Sequence, residues 1–252
     1  MSSALVRARG LSKVYGARGV KYEALRGLDL DVERGEFVGV MGPSGAGKTT
    51  LLNIIATIDR PSAGEILVAG TDLFSCPERE LARFRRERLG FVFQDFNLLD
   101  TLTAYENVAL PLALAGLPGD ELDAKARAAA ARLSISEIAD KFPWELSGGQ
   151  RQRVSAARAI APGPALLLAD EPTGNLDSRA AAGLLSSFSS LNVDEGTTIL
   201  MVTHDALAAS YCTRVVFILD GSVYAEVRSG GDRRAFFDSL MEALKAMEGG
   251  VR

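Results

Sequence analysis

Gly42-Pro43-Ser44-Gly45-Ala46-Gly47-Lys48-Thr49-Thr50 stands directly after the apolar run Phe37-Val38-Gly39-Val40-Met41 and directly before Leu51-Leu52-Asn53-Ile54-Ile55. That spacing is the one a phosphate-binding loop needs between a buried strand and a helix. The glycines let consecutive backbone N–H groups curl around phosphate oxygens, and the helix N-terminus that follows favours an anion. Gly42, Pro43, Ser44, Gly45, Ala46, Gly47, Lys48, Thr49 and Thr50 are therefore expected to hold a nucleotide by its phosphates. Lys48 would reach the β and γ phosphates, and Thr49 would place its hydroxyl on Mg²⁺. Gly-rich turns also serve merely to pack a strand on a helix, but here both flanking elements that the motif requires are present.

Working outward, the 252 residues are enough for one large α/β domain with an inserted subdomain, and 47% hydrophobic with 24% charged residues is an ordinary globular composition. A net charge of −4 argues against broad nucleic-acid binding, so no direct nucleic-acid partner is expected. Cys76 and Cys212 show no metal or disulfide spacing, which makes a reducing, cytoplasmic compartment the default. The N-terminus lacks the apolar core of a signal peptide, and no run approaches the roughly 18 apolar residues of a spanning helix. The chain is not expected to cross a membrane by itself.

Short strands are expected at 4–9, 27–32 and 36–41, with Tyr15 in the first turn, where an aromatic either stacks on a purine or simply packs. A helix from Lys48 to about Ile58 leads to the turn Pro61-Ser62-Ala63-Gly64 and a strand at 65–68. Residues 77–88 read as a helix whose arginines form a solvated face. Gly90-Phe91-Val92-Phe93-Gln94 reads as a strand ending on an amide that could ligate the metal or the attacking water, because strand ends in α/β folds face the ligand crevice. Residues 103–133 read as helical, broken at 116–119 and restarted with Asp120 as cap.

Leu146-Ser147-Gly148-Gly149-Gln150 opens another helix, running to Ile160. Its free N–H groups make a second anion site. Since the phosphate loop already cradles its own nucleotide, this second site points to a nucleotide held by another subunit. The strand Ala165-Leu166-Leu167-Leu168-Ala169 delivers Asp170, placed to hold Mg²⁺ through water, and Glu171, placed to orient or deprotonate the attacking water. A helix over 178–191 and a strand over 197–203 follow, and the strand delivers His204, the one histidine, toward the γ-phosphate. Strands at 214–219 and 222–227 flank the hairpin turn Asp220-Gly221. An amphipathic helix over 233–247, with Phe236, Phe237, Leu240 and Leu244 on one side, is expected to pack on its own domain.

Taken together, the phosphate loop, Gln94 after Phe93, Leu146 to Gln150, Asp170-Glu171, Asn175-Leu176-Asp177 and His204 resemble, in order and over essentially the whole chain, the ATP-binding subunits of ATP-binding-cassette (ABC) transporters. The resemblance implies an α/β P-loop NTPase fold. Its core sheet would be mainly parallel, with an antiparallel β subdomain and a helical subdomain over approximately 103–160 that carries the signature. It implies that Tyr15 stacks on adenine and that two chains form a head-to-tail homodimer in the ATP-bound state. Each ATP would lie between one chain's phosphate loop and the other's Ser147, Gly148, Gly149 and Gln150, with Asp177 also at the nucleotide site. Lys48, Gln94, Glu171 and His204 would carry hydrolysis of ATP; Thr49, Gln94 and Asp170 would hold Mg²⁺.

A narrower likeness is visible. Ala169-Asp170-Glu171-Pro172-Thr173-Gly174-Asn175-Leu176-Asp177 is similar to the macrolide-efflux, lipoprotein-release and cell-division group. Thr57 to Pro61, Phe84-Arg85-Arg86, Phe91 to Thr103 and Phe236 to Met241 look like bacitracin-resistance (Bce-type) ATPases. That likeness implies a cytoplasmic subunit, peripheral on the inner face of the bacterial cell membrane. Its partner would be an integral membrane permease with a large extracellular domain, often beside a sensor kinase. The function implied is protection against cell-wall-directed peptide antibiotics, with the other branches of the group as alternatives.

Overall fold

A computed structural model of the protein describes residues 4–16, 21–73 and 75–249. The elements run β1 (Ala4–Tyr15), β2 (Tyr22–Glu33), β3 (Phe37–Met41), α1 (Lys48–Ile55), β4 (Ala63–Val68), β5 (Thr71–Asp72), α2 (Glu78–Arg88), β6 (Leu89–Val92), α3 (Ala104–Leu114) and α4 (Gly119–Arg132). Two 3-10 turns follow at Ser136–Ile138 and Pro143–Glu145. Then come α5 (Gly148–Ile160), β7 (Leu166–Asp170), α6 (Ser178–Glu195), β8 (Thr198–Val202), α7 (Ala206–Ala209), β9 (Arg214–Leu219), β10 (Ser222–Arg228) and α8 (Arg233–Gly249).

These strands make two sheets. One is antiparallel, in the order β2-β1-β4-β5; the other is six-stranded, in the order β10-β9-β3-β8-β7-β6, and parallel except for the β9–β10 hairpin. The inner strands are uninterrupted apolar runs because both faces of a parallel sheet are covered. Their period-two alternation divides the core. Val38, Val40, Leu166, Leu168, Leu200, Val202, Val216 and Ile218 pack with Leu51, Leu52, Ile54 and Ile55 of α1 and with the antiparallel sheet. Phe37, Met41, Leu167, Ala169, Ile199, Met201, Val215 and Phe217 face the other way, in one cluster with Val154, Ala157, Leu184, Phe188, Phe236 and Leu240. Phe236, Leu240 and Met247 are buried, so α8 lies against its own chain.

The fold class matches the expectation, and the element boundaries differ for local reasons. β1 runs six residues past Arg9, because Gly10 at φ +55° absorbs a register shift between Ala8 and Leu11, so Tyr15 ends a strand and does not sit in a turn. α1 stops at Ile55, and Thr57 at φ +58° turns the chain away. β6 ends at Val92, which leaves Gln94 in the loop beyond it. α4 starts at Gly119 after Pro118, and Asp120 sits in its first turn and not at the cap.

Candidate functional site

Because β3, β8, β7 and β6 are parallel neighbours, their C-terminal ends form one row. β3 ends in the phosphate loop, β8 in Thr203-His204, β7 in Asp170-Glu171, and β6 leads to Gln94. At about 4.8 Å per strand, the row from β3 to β6 spans roughly 14 Å. β8 lies between the loop strand and the carboxylate strand, which is why His204 meets Glu171.

The loop is held in shape by its own chain. A Cβ on Gly42 would land on the Ile218 carbonyl oxygen, and one on Gly47, at φ +101°, on that of Ala24. Only glycine fits either place. Lys48 is buried and folds back over the loop, donating to the carbonyl oxygens of Gly42 at 2.8 Å and Pro43 at 2.9 Å. Burial lowers its pKa, while Glu171 and Asp170 act in the opposite direction. Gly42, Pro43, Ser44, Gly45, Gly47, Lys48, Thr49 and Thr50 line a cleft of about 630 Å³ together with Tyr22, Glu171 and His204. Ala46 is buried beneath it.

Glu171 adopts φ +45°, a strained left-handed backbone for a residue with a Cβ. Its N–H donates to the Val202 carbonyl oxygen at 2.9 Å, and Oε1 lies 2.9 Å from His204 Nδ1. The glutamate side chain is 17% exposed and the histidine 73% exposed, so the pair presents the imidazole to the cleft mouth and keeps the carboxylate inside. Asp170, one residue earlier, has its pKa raised by burial and then by Glu171, with Lys48 opposing. Its Oδ1 is buried with no hydrogen-bond partner among the described residues.

Gln94, Ser147 to Gln150 and Asp177 lie outside this cleft. Gln94 is packed against Gly174, and its carbonyl accepts from Asn175 Nδ2 at 3.1 Å. Ser147 caps α5 in a reciprocal box: Gln150 N–H donates to Ser147 Oγ at 3.3 Å, and Ser147 N–H donates to Gln150 Oε1 at 2.9 Å. Asp177 caps α6 by accepting from the Arg179 and Ala180 N–H groups at 2.9 and 2.8 Å. Ser147, Gly149, Gln150 and Asp177 together line a second hollow of about 570 Å³ that shares no lining residue with the first. Tyr15 does not line the phosphate cleft, though its hydroxyl also interacts with Thr50, which does. Its hydroxyl donates to Asp59 Oδ2 at 2.5 Å, and Lys13 Nζ lies 4.7 Å from its ring centroid. Partial burial, then the Asp59 bond, raises the phenol's pKa.

Sequence reading passed over the residues that tie these parts together. Fully buried Gln152 donates through one nitrogen to the Phe93 carbonyl at 3.0 Å and the Pro172 carbonyl at 2.9 Å, joining the Gln94 loop to the turn after Glu171. Arg158 reaches the carbonyls of Asn97 at 2.6 Å and Phe96 at 3.0 Å, both residues at positive φ. A signal was present for Gln152. It shares the i, i+4, i+8 stripe of α5 with Ala156 and Ile160, which marks a buried polar side chain.

A metal fits this donor set. Thr49, which carries a hydroxyl, lines the cleft, and Asp170 has an unpartnered buried oxygen. Among the described residues no three His, Cys, Asp or Glu side chains cluster as a metal site, so the remaining ligands of a Mg²⁺ would be phosphate and water.

Comparison with known proteins places this geometry. A family model described as ABC transporter matches residues 25–174. The chain is 50% identical over 247 residues to an ABC transporter ATP-binding protein, YvcR, of Bacillus subtilis, covering 97% of this chain and 95% of that one. It is 48% identical over 250 residues to the bacitracin export ATP-binding protein BceA of Halalkalibacterium halodurans, covering 99% of this chain and 98% of that one. It superposes with TM-score 0.83 and 38% identity on the dimeric, post-hydrolysis structure of the ATP-binding cassette MJ0796 bound to ADP and Pi, covering 90% of this chain and 100% of that one. Matches of this extent show that the chain belongs to the ABC transporter family as an ATP-binding, ATP-hydrolysing subunit.

Proposed function

We propose that the chain is the motor of a bacterial peptide-antibiotic resistance transporter, and that its ATP sites are completed by a second copy. The observation that carries the second part is the division of the site. The phosphate cleft with Lys48, Glu171 and His204 is one hollow, and the signature end with Ser147, Gly149, Gln150 and Asp177 is another. Within one chain the two hollows share no lining residue, whereas two chains head to tail would supply each cleft with the other's α5 N-terminus. Adenine would lie on Tyr15, at the C-terminal end of β1.

In this arrangement Lys48 and the loop N–H groups hold the β and γ phosphates of ATP. Glu171 accepts a proton from a water whose oxygen attacks the γ-phosphorus, and the bond to the β-phosphate oxygen breaks to give ADP and phosphate. His204 holds the Glu171 carboxylate in line and reaches the γ-phosphate from its exposed ring. Thr49, Asp170 and, after its loop moves in, Gln94 would hold Mg²⁺, which when bound neutralises charge on the phosphates. Closure and reopening of the dimer would be passed through the Gln94–Thr103 segment to an integral membrane permease with a large extracellular domain. That would put the subunit on the inner face of the cell membrane, with a sensor kinase reached through the permease.

Two observations support the cellular role: the near full-length likeness to a bacitracin export ATPase, and the lack, among the described residues, of a helix long and apolar enough to cross a membrane. The test uses cells whose sole copy of the gene carries Glu171→Gln. They should lose bacitracin resistance while the variant still copurifies with a membrane permease. Turnover of the purified variant should fall roughly 10²–10⁴-fold, with ATP binding retained. Full resistance in those cells would refute the cellular role; parental turnover would refute the assignment of the base.

A further inference from the structure

Tyr22 has a place at the phosphate cleft that the loop motif does not contain. It opens β2 directly across the ladder from Tyr15, and opposed residues of an antiparallel pair share a face. The two side chains then diverge. Tyr15 reaches Asp59, while the Tyr22 hydroxyl donates to the Gly45 carbonyl oxygen at 2.6 Å, and Tyr22 lines the cleft beside Lys48, Glu171 and His204. Tyr22 is 52% exposed, so burial does not force its hydroxyl onto this acceptor when water is at hand.

The group it holds is the Gly45–Ala46 peptide. Its carbonyl and its N–H lie in one plane and turn together. The N–H end donates to the Pro43 carbonyl at 3.3 Å, so Tyr22 ties the opposite end of the same unit. Gly45, at φ +80°, is where the backbone has the widest choice without such a tie. A second external tie, from Gly221 N–H to the Ala46 carbonyl at 3.1 Å, is backbone to backbone. Tyr22 therefore provides a side-chain brace from the antiparallel sheet on the loop that is to cradle phosphate.

We infer that Tyr22 is a positioning residue for the phosphate loop: its hydroxyl fixes the Gly45–Ala46 peptide so that the cradle is already formed when nucleotide arrives. Preorganisation of this kind lowers the ordering cost of binding. It acts on the polyphosphate and is indifferent to the base.

Tyr22→Phe keeps the ring and removes only the hydroxyl. Calorimetry with ATP, GTP and tripolyphosphate should show all three weakened by the same factor, roughly 2–10-fold. KM for ATP should rise by that factor while kcat moves less than about twofold. The melting temperature without ligand should stay within about 1 °C of the parent. Unchanged affinities would overturn the inference. So would a loss confined to ATP and GTP, which would make Tyr22 a base or sugar contact, or a drop in melting temperature large enough to make its role merely structural.

Discussion

Gln152→Leu replaces the buried amide with an apolar side chain of similar size and leaves two carbonyls, Phe93 and Pro172, without their donor. Both bonds come from one nitrogen in a fully buried residue, the one to Pro172 wholly buried and the one to Phe93 partly so. Each orphaned acceptor costs about 1–3 kcal/mol. Against that, the Gln152 Oε1, itself buried without a partner, is removed, which returns about 1–3 kcal/mol. The net loss is about 2 kcal/mol, or about 4–8 °C in melting temperature for a chain of this length. The functional effect should exceed the stability effect at assay temperature. Without the strut the Gln94 loop and the turn after Glu171 no longer move as one body, so kcat should fall further than KM rises. Thermal melts and steady-state ATPase kinetics read both quantities. A melting shift below about 1 °C together with an unchanged kcat would refute the view that Gln152 couples the two loops.

Two further outcomes follow from the carboxylate strand. His204→Ala removes the Nδ1 partner of Glu171, so ATP binding measured by calorimetry should persist while turnover falls roughly 10²-fold; unchanged turnover would deny the histidine its phosphate role. Asp170 ionises at higher pH when folded than when unfolded, chiefly because it is buried, so the folded chain holds the extra proton across that interval and stability falls as pH rises through it. Asp170→Asn should abolish that decline, raise the nucleotide-free melting temperature at neutral pH, and remove the Mg²⁺-dependent part of the stabilisation by ATP, all measurable by thermal melts across pH.

The chain's architecture was largely readable because its strands are uninterrupted apolar runs that end in chemistry: Phe37–Met41 before the loop, Leu166–Ala169 before Asp170, Thr198–Val202 before His204. Such runs have few alternatives to a buried parallel sheet. What was not readable is set by three-dimensional neighbours. The continuation of β1 to Tyr15 depends on a bulge at Gly10 and on the ladder with β2, which pairs Tyr15 with Tyr22. The end of β6 at Val92 depends on where Gln152 and Asn175 capture the backbone of Phe93 and Gln94. Tyr22 was invisible as a site residue because its acceptor, a backbone carbonyl on another element, leaves no mark in residue type. The left-handed backbone at Glu171 is likewise a property of the strand end, not of the Asp-Glu pair that marks it.

The proposed motor requires two copies of the chain to share each ATP. Its most direct test is the mass in solution of the Glu171→Gln protein with and without ATP, by analytical ultracentrifugation, alongside the same protein carrying Ser147→Arg. The single variant should be a monomer without ATP and an ATP-loaded dimer with it, and the double variant should be a monomer that still binds ATP through its own phosphate loop. A Glu171→Gln protein that binds ATP yet stays monomeric, or a double variant that dimerises as well as the single one, would contradict such sharing.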